Sequence, residues 1–136
     1  AVRKFGAQAI TASINNIYDH GNNIFCNSDG TQTQGIPTRN VCKYAYDLGV
    51  GEILLCDVWG NGVRGGYNCE LLNECTYKIP IPVIAYGGCG KPQHMVDALI
   101  AGANAVASSS MFLFSDITPR DCSIYINEKG FEARIT

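Results

Sequence analysis

Residues 81–114 read IPVIAYGGCGKPQHMVDALIAGANAVASSSMFLF, and the fold is decided there. The order is strand, glycine turn, helix, strand, short helix. Pro82, Val83, Ile84 and Ala85 form a short apolar run of the kind buried in a parallel sheet. Gly87 and Gly88 follow at its C-terminal end, where missing side chains let backbone N–H groups approach an anion. Pro92 suits the first position of a helix, and Met95, Val96, Leu99 and Ile100 recur at helical spacing until Gly102 stops it. Residues 103–107 are a second, small-residue strand, and Ser108, Ser109 and Ser110 open a turn of helix. Two neighbouring strand ends, one offering Gly-Gly and one a Ser-rich helix start, predict a phosphate cradle. The same residues would also serve plain tight turns; their pairing at matched strand ends favours the cradle.

The pairing of such features after consecutive strands is a property of many (β/α) barrels. The 136 residues are enough for one domain with a real core, and 46% hydrophobic against 16% charged content describes a globular chain. A net charge of −2 without a basic block argues against nucleic acid or an anionic membrane surface as partner. No stretch approaches the roughly 18 apolar residues of a membrane span, and no signal peptide is present. The first residue is Ala1, and the chain enters a strand pattern almost at once, which reads as a piece of a longer protein. The seven cysteines (Cys26, Cys42, Cys56, Cys69, Cys75, Cys89 and Cys122) are odd in number, contain no C-x-x-C and have no histidine at ligand spacing. They read as buried, reduced thiols of a cytoplasmic protein, with no metal site and no cofactor. Cys89, next to Gly88, could be favoured as a thiolate by the anion site, although a small residue in a turn is the simpler reading.

Taken in order, four strand–helix units follow one another. Residues 8–14, QAITASI, read as a strand. The polar stretch 15–35 carries two turn signals around Ile24, Phe25 and Cys26, which predicts a hairpin over the C-terminal face of the sheet. Thr38 is expected to cap a helix with Val41, Tyr44, Ala45 and Leu48 on one face, ended by Gly49. Residues 51–56, GEILLC, are a continuous apolar strand. The glycine-rich DVWGNGVRGGYN (residues 57–68) follows, and Asn68 caps a helix carrying Leu71, Leu72 and Cys75. The stretch quoted first supplies the next two units. A last helix starts at Thr118 and Pro119, with Asp121 placed for a capping box, buries Cys122, Tyr125 and Ile126, and closes at Gly130. Strands alternating with helices give an α/β fold with parallel strands. Four such strands leave two open edges and one uncovered face.

The motif series resembles the cyclase subunit of imidazole glycerol phosphate synthase, a (β/α)8 TIM-barrel family of histidine biosynthesis, over its C-terminal half. The resemblance runs through FGAQ (residues 5–8), GVGEILL (49–55), NGVRGGYN (61–68), IAYGGCGK (84–91) and AGANAVASSSMFLF (101–114). It implies that residues 1–136 are a single half-barrel of four βα units, five to eight of eight, completed by the missing N-terminal half-barrel or by a second copy in a homodimer. It also implies a lyase-type cyclase that uses ammonia from a glutaminase subunit. The phosphorylated ribulosyl-aminoimidazole nucleotide would give imidazole glycerol phosphate and aminoimidazole carboxamide ribotide. Asn61, Gly62, Gly87, Gly88, Ser109 and Ser110 fall on the family's phosphate positions. Glu52 falls on the ammonia gate, and Gln8 near the glutaminase-facing end.

The sequence departs from the family where the chemistry is done. Asn15 stands at the position of a catalytic aspartate, and an amide cannot take or give a proton near neutral pH. Cys56 and Asp57 replace a Thr-Ser pair. Asp57 is a candidate substitute acid, although a one-residue shift along a strand points to the other face. His20 and His94 read as a loop and a surface histidine. The expectations are therefore a cyclase impaired at Asn15, and inactive as this chain alone. The alternatives are a surface-glycan amidation paralogue of the same family or a non-catalytic phosphate-binding or assembly module.

Overall fold

The computed structural model describes residues 1–59 and 64–135. A short helix α1 (Val2–Phe5) and a 3-10 turn (Ala7–Ala9) lead into strand β1 (Thr11–Asp19). Strand β2 (Asn22–Cys26) returns antiparallel to it, and β3 (Gln32–Pro37) runs antiparallel to β2. Then follow α2 (Thr38–Asp47), β4 (Glu52–Asp57), α3 (Cys69–Thr76), β5 (Val83–Tyr86), α4 (Pro92–Ile100), β6 (Ala105–Ala107), α5 (Ser110–Phe114) and α6 (Pro119–Glu128). The six strands form one sheet in the order β3-β2-β1-β4-β5-β6, parallel across β1, β4, β5 and β6. The chain thus has an α/β fold with a mostly parallel sheet. No helix of the described residues is long and apolar enough to cross a membrane.

Two expectations are corrected at the N-terminal end. The first strand begins at Thr11, because Gln8 lies in the 3-10 turn that brings Ile10 O to the N–H of Gly51 at 3.1 Å. The hairpin does not lie over the strand ends. β1 runs on to Asp19, and β2 and β3 pair beside it, so the polar stretch extends the sheet instead of capping it.

Strand alternation sorts the sheet into two faces. Ile14, Ile53, Leu55, Val83 and Ala85 point to one face and pack with Cys42 and Ala45 of α2, Leu71, Leu72 and Cys75 of α3, Met95, Val96 and Ala98 of α4, and Cys122 and Ile126 of α6. The branched side chains of this set therefore face the helices. A smaller cluster of Ile17, Ile24 and Cys26 with Val58 lies under the hairpin. The helix starts follow their local chemistry. Asn68 accepts the N–H of Leu71 at 2.9 Å, and Thr118 and Asp121 form a reciprocal capping box. In α2 the stripe is displaced from the expected one. Thr38, Cys42 and Ala45 are buried, while Tyr44 and Leu48 are exposed. Thr38 is the first helical residue and not a cap; its hydroxyl turns inward to Asn16. Ile100 of α4 is likewise exposed, and Tyr125 is half-buried with its hydroxyl donating to Gln93 at 2.6 Å.

Candidate functional site

Residues paired across the strands share a face, so the register defines rows. The lowest row on the face opposite the helices is Thr11 and Glu52, where the threonine hydroxyl donates to the carboxylate at 2.8 Å. Ser13, Leu54, Ile84 and Ala105 form the next row. The row at the C-terminal strand ends is Cys26, Asn15, Cys56, Tyr86 and Ala107. Asn15 is therefore flanked by two cysteines. Burial raises both thiol pKa values; Asp29 and Asp57 add to the effect at Cys26, and a contact with Ser13 opposes it at Cys56. Both sulfurs are held protonated and neutral beside the amide.

Gly87 and Gly88 continue from Tyr86 with φ of 104° and 93°. A Cβ on Gly87 would stand 2.5 Å from the carbonyl oxygen of Asp57, so only glycine lets β5 pass β4 here. Ser109 and Ser110 lie at the start of α5, and the Tyr86 hydroxyl meets Ser109 Oγ at 3.1 Å. That bond ties together the two strand ends singled out by the sequence. The loop after β4 is pinned over them, with Gly66 N–H donating to Gly88 O and the Tyr67 hydroxyl to Ala107 O, each at 2.8 Å. Burial, with Cys89 nearby, pushes the Tyr67 phenol far up, so it stays a donor. Gly87 and Gly88 are buried beneath this loop, and Ser109 is exposed. Arg64 brings its guanidinium to 5.7 Å from the Phe114 ring at the end of α5. Asn61 and Gly62 lie outside the described residues. Cys89 is buried against Met111, with its sulfur 3.9 Å from the thioether, and all seven cysteines are free thiols.

The histidines separate. His20 is on the exposed hairpin turn, 2.7 Å from the Asp19 carboxylate. His94 is half-buried, and its Nδ1 accepts the Gly90 N–H at 3.1 Å. Burial and then Lys91 lower its pKa, against Asp97, so the ring serves as a neutral acceptor holding the glycine turn. Gln8 and Glu52 both lie at the N-terminal end of the sheet, remote from the Asn15 row.

Asp57 pairs in register with Asn16, one residue beyond the Asn15–Cys56 pair, so it points to the helix-covered face. There it belongs to a polar network that sequence reasoning missed. Asn16, fully buried, donates to Asp57 and to Asn23, each at 3.3 Å, and accepts the Thr38 hydroxyl at 2.6 Å. Asn68, the α3 cap, donates to the same Asn23 oxygen at 3.0 Å. The signal available was the repeated Asn-Asn-Ile at residues 15–17 and 22–24, which puts Asn16 and Asn23 each directly before a buried isoleucine. Among the described residues the network is complete except for Asn23 Nδ2, a buried donor without an acceptor. Such a group costs about 1–3 kcal/mol.

Comparison with known proteins accords with the motif reading. A family model described as "Histidine biosynthesis protein" matches residues 1–118, and the chain belongs to that family. It is 32% identical over 98% of its length to the imidazole glycerol phosphate synthase subunit HisF of Wolinella succinogenes, covering 53% of that protein. For the same subunit of Metallosphaera sedula the identity is 35%, over 98% of this chain and 54% of the relative. For that of Pyrobaculum aerophilum it is 33%, over 98% and 53%. The chain thus spans about half the length of the curated relatives it matches, and the resemblance to imidazole glycerol phosphate synthase holds.

The Asp57 environment makes a measurable prediction. Burial raises its pKa above the ordinary carboxylate value, and the Asn16 hydrogen bond only partly offsets this. The folded state therefore holds the proton more tightly than the unfolded one. The stability so gained is full below the unfolded pKa and is lost as pH rises through the folded pKa. Asp57→Asn keeps an oxygen for Asn16 and removes the buried charge. Urea unfolding should show the variant more stable than wild type at pH 7 and equal to it at pH 3. A variant less stable at pH 7 would show that the carboxylate charge is used.

Proposed function

We propose that the chain is the C-terminal half of a cyclase-type (β/α)8 barrel, a single unit of four strand–helix repeats. In this reading it holds one phosphate of an extended phosphorylated substrate at its C-terminal strand ends. The observation that carries this is the Tyr86–Ser109 bond, which joins the Gly87-Gly88 and Ser109-Ser110 strand ends beside the Asn15 row. Backbone N–H groups of Gly88 and Ser110, with Asn61 and Gly62 on the neighbouring loop, are the assigned phosphate donors. The substrate class in this reading is the one the motif resemblance implies, a phosphorylated ribulosyl-aminoimidazole nucleotide cyclised with ammonia. Thr11 holds Glu52 at the other end, where ammonia from a glutaminase partner would enter; Gln8 lies on that partner-facing end.

Asn15 favours a second reading, a phosphate-binding module without chemistry. Its amide sits where the reaction needs a titrating group, and the thiols beside it are held neutral. Asp57, the candidate substitute acid, lies on the far side of the sheet.

Three outcomes test these readings. Phosphate titration followed by amide NMR should give saturable shifts at Gly88 and Ser110; shifts scattered over the surface would remove the cradle. With an N-terminal half-barrel supplied, the wild-type chain should turn over little. Asn15→Asp should raise the rate more than about tenfold, the scale of a general acid–base group. Equal rates for the two would move the proton to another residue, Asp57 first. The third concerns assembly. The row face exposes Thr11, Ser13 and Ala105 and leaves Leu54 and Ile84 half-buried, and β3 and β6 are open edges. Apolar surface left in water costs roughly 25 cal/mol for each Å². Sedimentation equilibrium at micromolar protein should therefore show a dimer or larger species. A cooperatively folded monomer would show that the row face is stable in water.

A further inference from the structure

The phosphate donors assigned above are backbone N–H groups and one side-chain amide, all of them neutral. A phosphate monoester carries close to two negative charges near neutral pH, and the chain itself has a net charge of −2. A positive group at the strand ends would balance the ligand, and Arg64 stands there.

Its backbone lies on one side of the proposed cradle. Residues 64–66 cross the glycine turn after β5. Gly66 donates its N–H to Gly88 O at 2.8 Å, and a Cβ on Gly90 would strike the carbonyl oxygen of Arg64. Its side chain lies on the other. The guanidinium carbon is 5.7 Å from the centroid of the Phe114 ring, at the end of α5. Arg64 thus starts over the turn that follows β5 and ends over the helix that follows β6. These are the two strand ends that the Tyr86–Ser109 bond joins at 3.1 Å. Its charge is not committed to an acid. Among the described residues the ion pairs are His20 with Asp19 and Lys43 with Asp47, and Arg64 is in neither. Arg64 is also exposed, so water competes for its contact with the ring. A cation on an aromatic face in water is held weakly, whereas the guanidinium fork makes two charge-assisted hydrogen bonds to phosphate oxygens.

We propose that Arg64 is the charge-bearing residue of the phosphate site, an assignment that rests on the phosphate reading above. The guanidinium leaves the Phe114 ring and donates to the oxygens of a phosphate monoester held by the amides of Gly88 and Ser110. The backbone contacts at Gly88 and Gly90 keep the base of the side chain over the turn while its head moves. Arg64 positions the substrate and takes no part in proton transfer, since its guanidinium stays charged throughout.

The test titrates the full chain with inorganic phosphate and follows the amides of Gly88 and Ser110 together with the Arg64 Nε–H resonance. The Arg64 signal should move with the same midpoint as the two amides. Arg64→Gln should weaken phosphate by about tenfold or more, and Arg64→Lys, which keeps the charge without the fork, should recover part of that loss. Both variants should unfold at the wild-type urea midpoint, because the side chain is exposed. Phe114→Leu removes the ring contact and should bind phosphate at least as tightly as wild type. Absence of saturable shifts at Gly88 and Ser110 in the wild type would remove the phosphate site itself, and the role of Arg64 with it. Saturable shifts there with equal affinity in wild type and Arg64→Gln would leave the site standing and overturn the Arg64 assignment. A lowered urea midpoint with unchanged affinity would do the same, marking a purely structural contact. A larger loss from Lys91→Gln than from Arg64→Gln would give the charge to the lysine that follows Gly90 and also overturn it.

Discussion

The structure depends on the in-phase parallel register of β1, β4, β5 and β6. Asn15, Cys56, Tyr86 and Ala107 stand side by side because each strand enters the sheet at the matching step. The side-chain period of a strand is two, so a slip of one residue would exchange the faces. Ile14, Ile53, Leu55, Val83 and Ala85 would then turn away from the helices, and Thr11, Ser13 and Glu52 would enter the core. Burial of the apolar set against four helices thus fixes the address of every polar group on the other face. The site residues are positioned by the core and not by one another.

That rule also separates two residues adjacent in chemistry. Asn15 and Asp57 lie at neighbouring strand ends, yet the sheet divides them. Asp57 is committed to Asn16, and through it to Thr38, Asn23 and Asn68. The network ties β1 to the starts of α2 and α3 and to the hairpin. A buried polar cluster holds elements in one arrangement only when its members are satisfied. Among the described residues it is satisfied everywhere but at Asn23, on the β2 strand of the hairpin.

What could be read from the sequence is what local chemistry decides. The Thr118–Asp121 capping box, the Asn68 cap and the strands around residues 52–57 and 83–86 all declare themselves within a few residues. The misreadings arise where a distant partner decides. Thr38 looks like a cap in isolation, but Asn16, distant in sequence, claims its hydroxyl. Tyr44 and Leu48 complete an apolar stripe on α2 that finds nothing to cover it. The polar residues after Asn15 suggested a hairpin over the strand ends, yet Ile17, Ile24 and Cys26 bury each other and draw the segment into the sheet. In the site, glycines and serines named the strand ends, while the tyrosines that lock them, Tyr67 and Tyr86, carried no signal in their own neighbourhood.

In the proposed reading, family membership and chemistry come apart at Asn15. An amide is nearly isosteric with a carboxylic acid, so the exchange leaves the register, the row and the neighbouring core intact. It changes only whether a proton can move. The glycine geometry at Gly87 is different in kind, because a Cβ there would collide with the backbone of Asp57, and the fold itself requires the residue. The residue at position 15 can therefore change without disturbing the fold, whereas Gly87 cannot be replaced without disturbing the sheet.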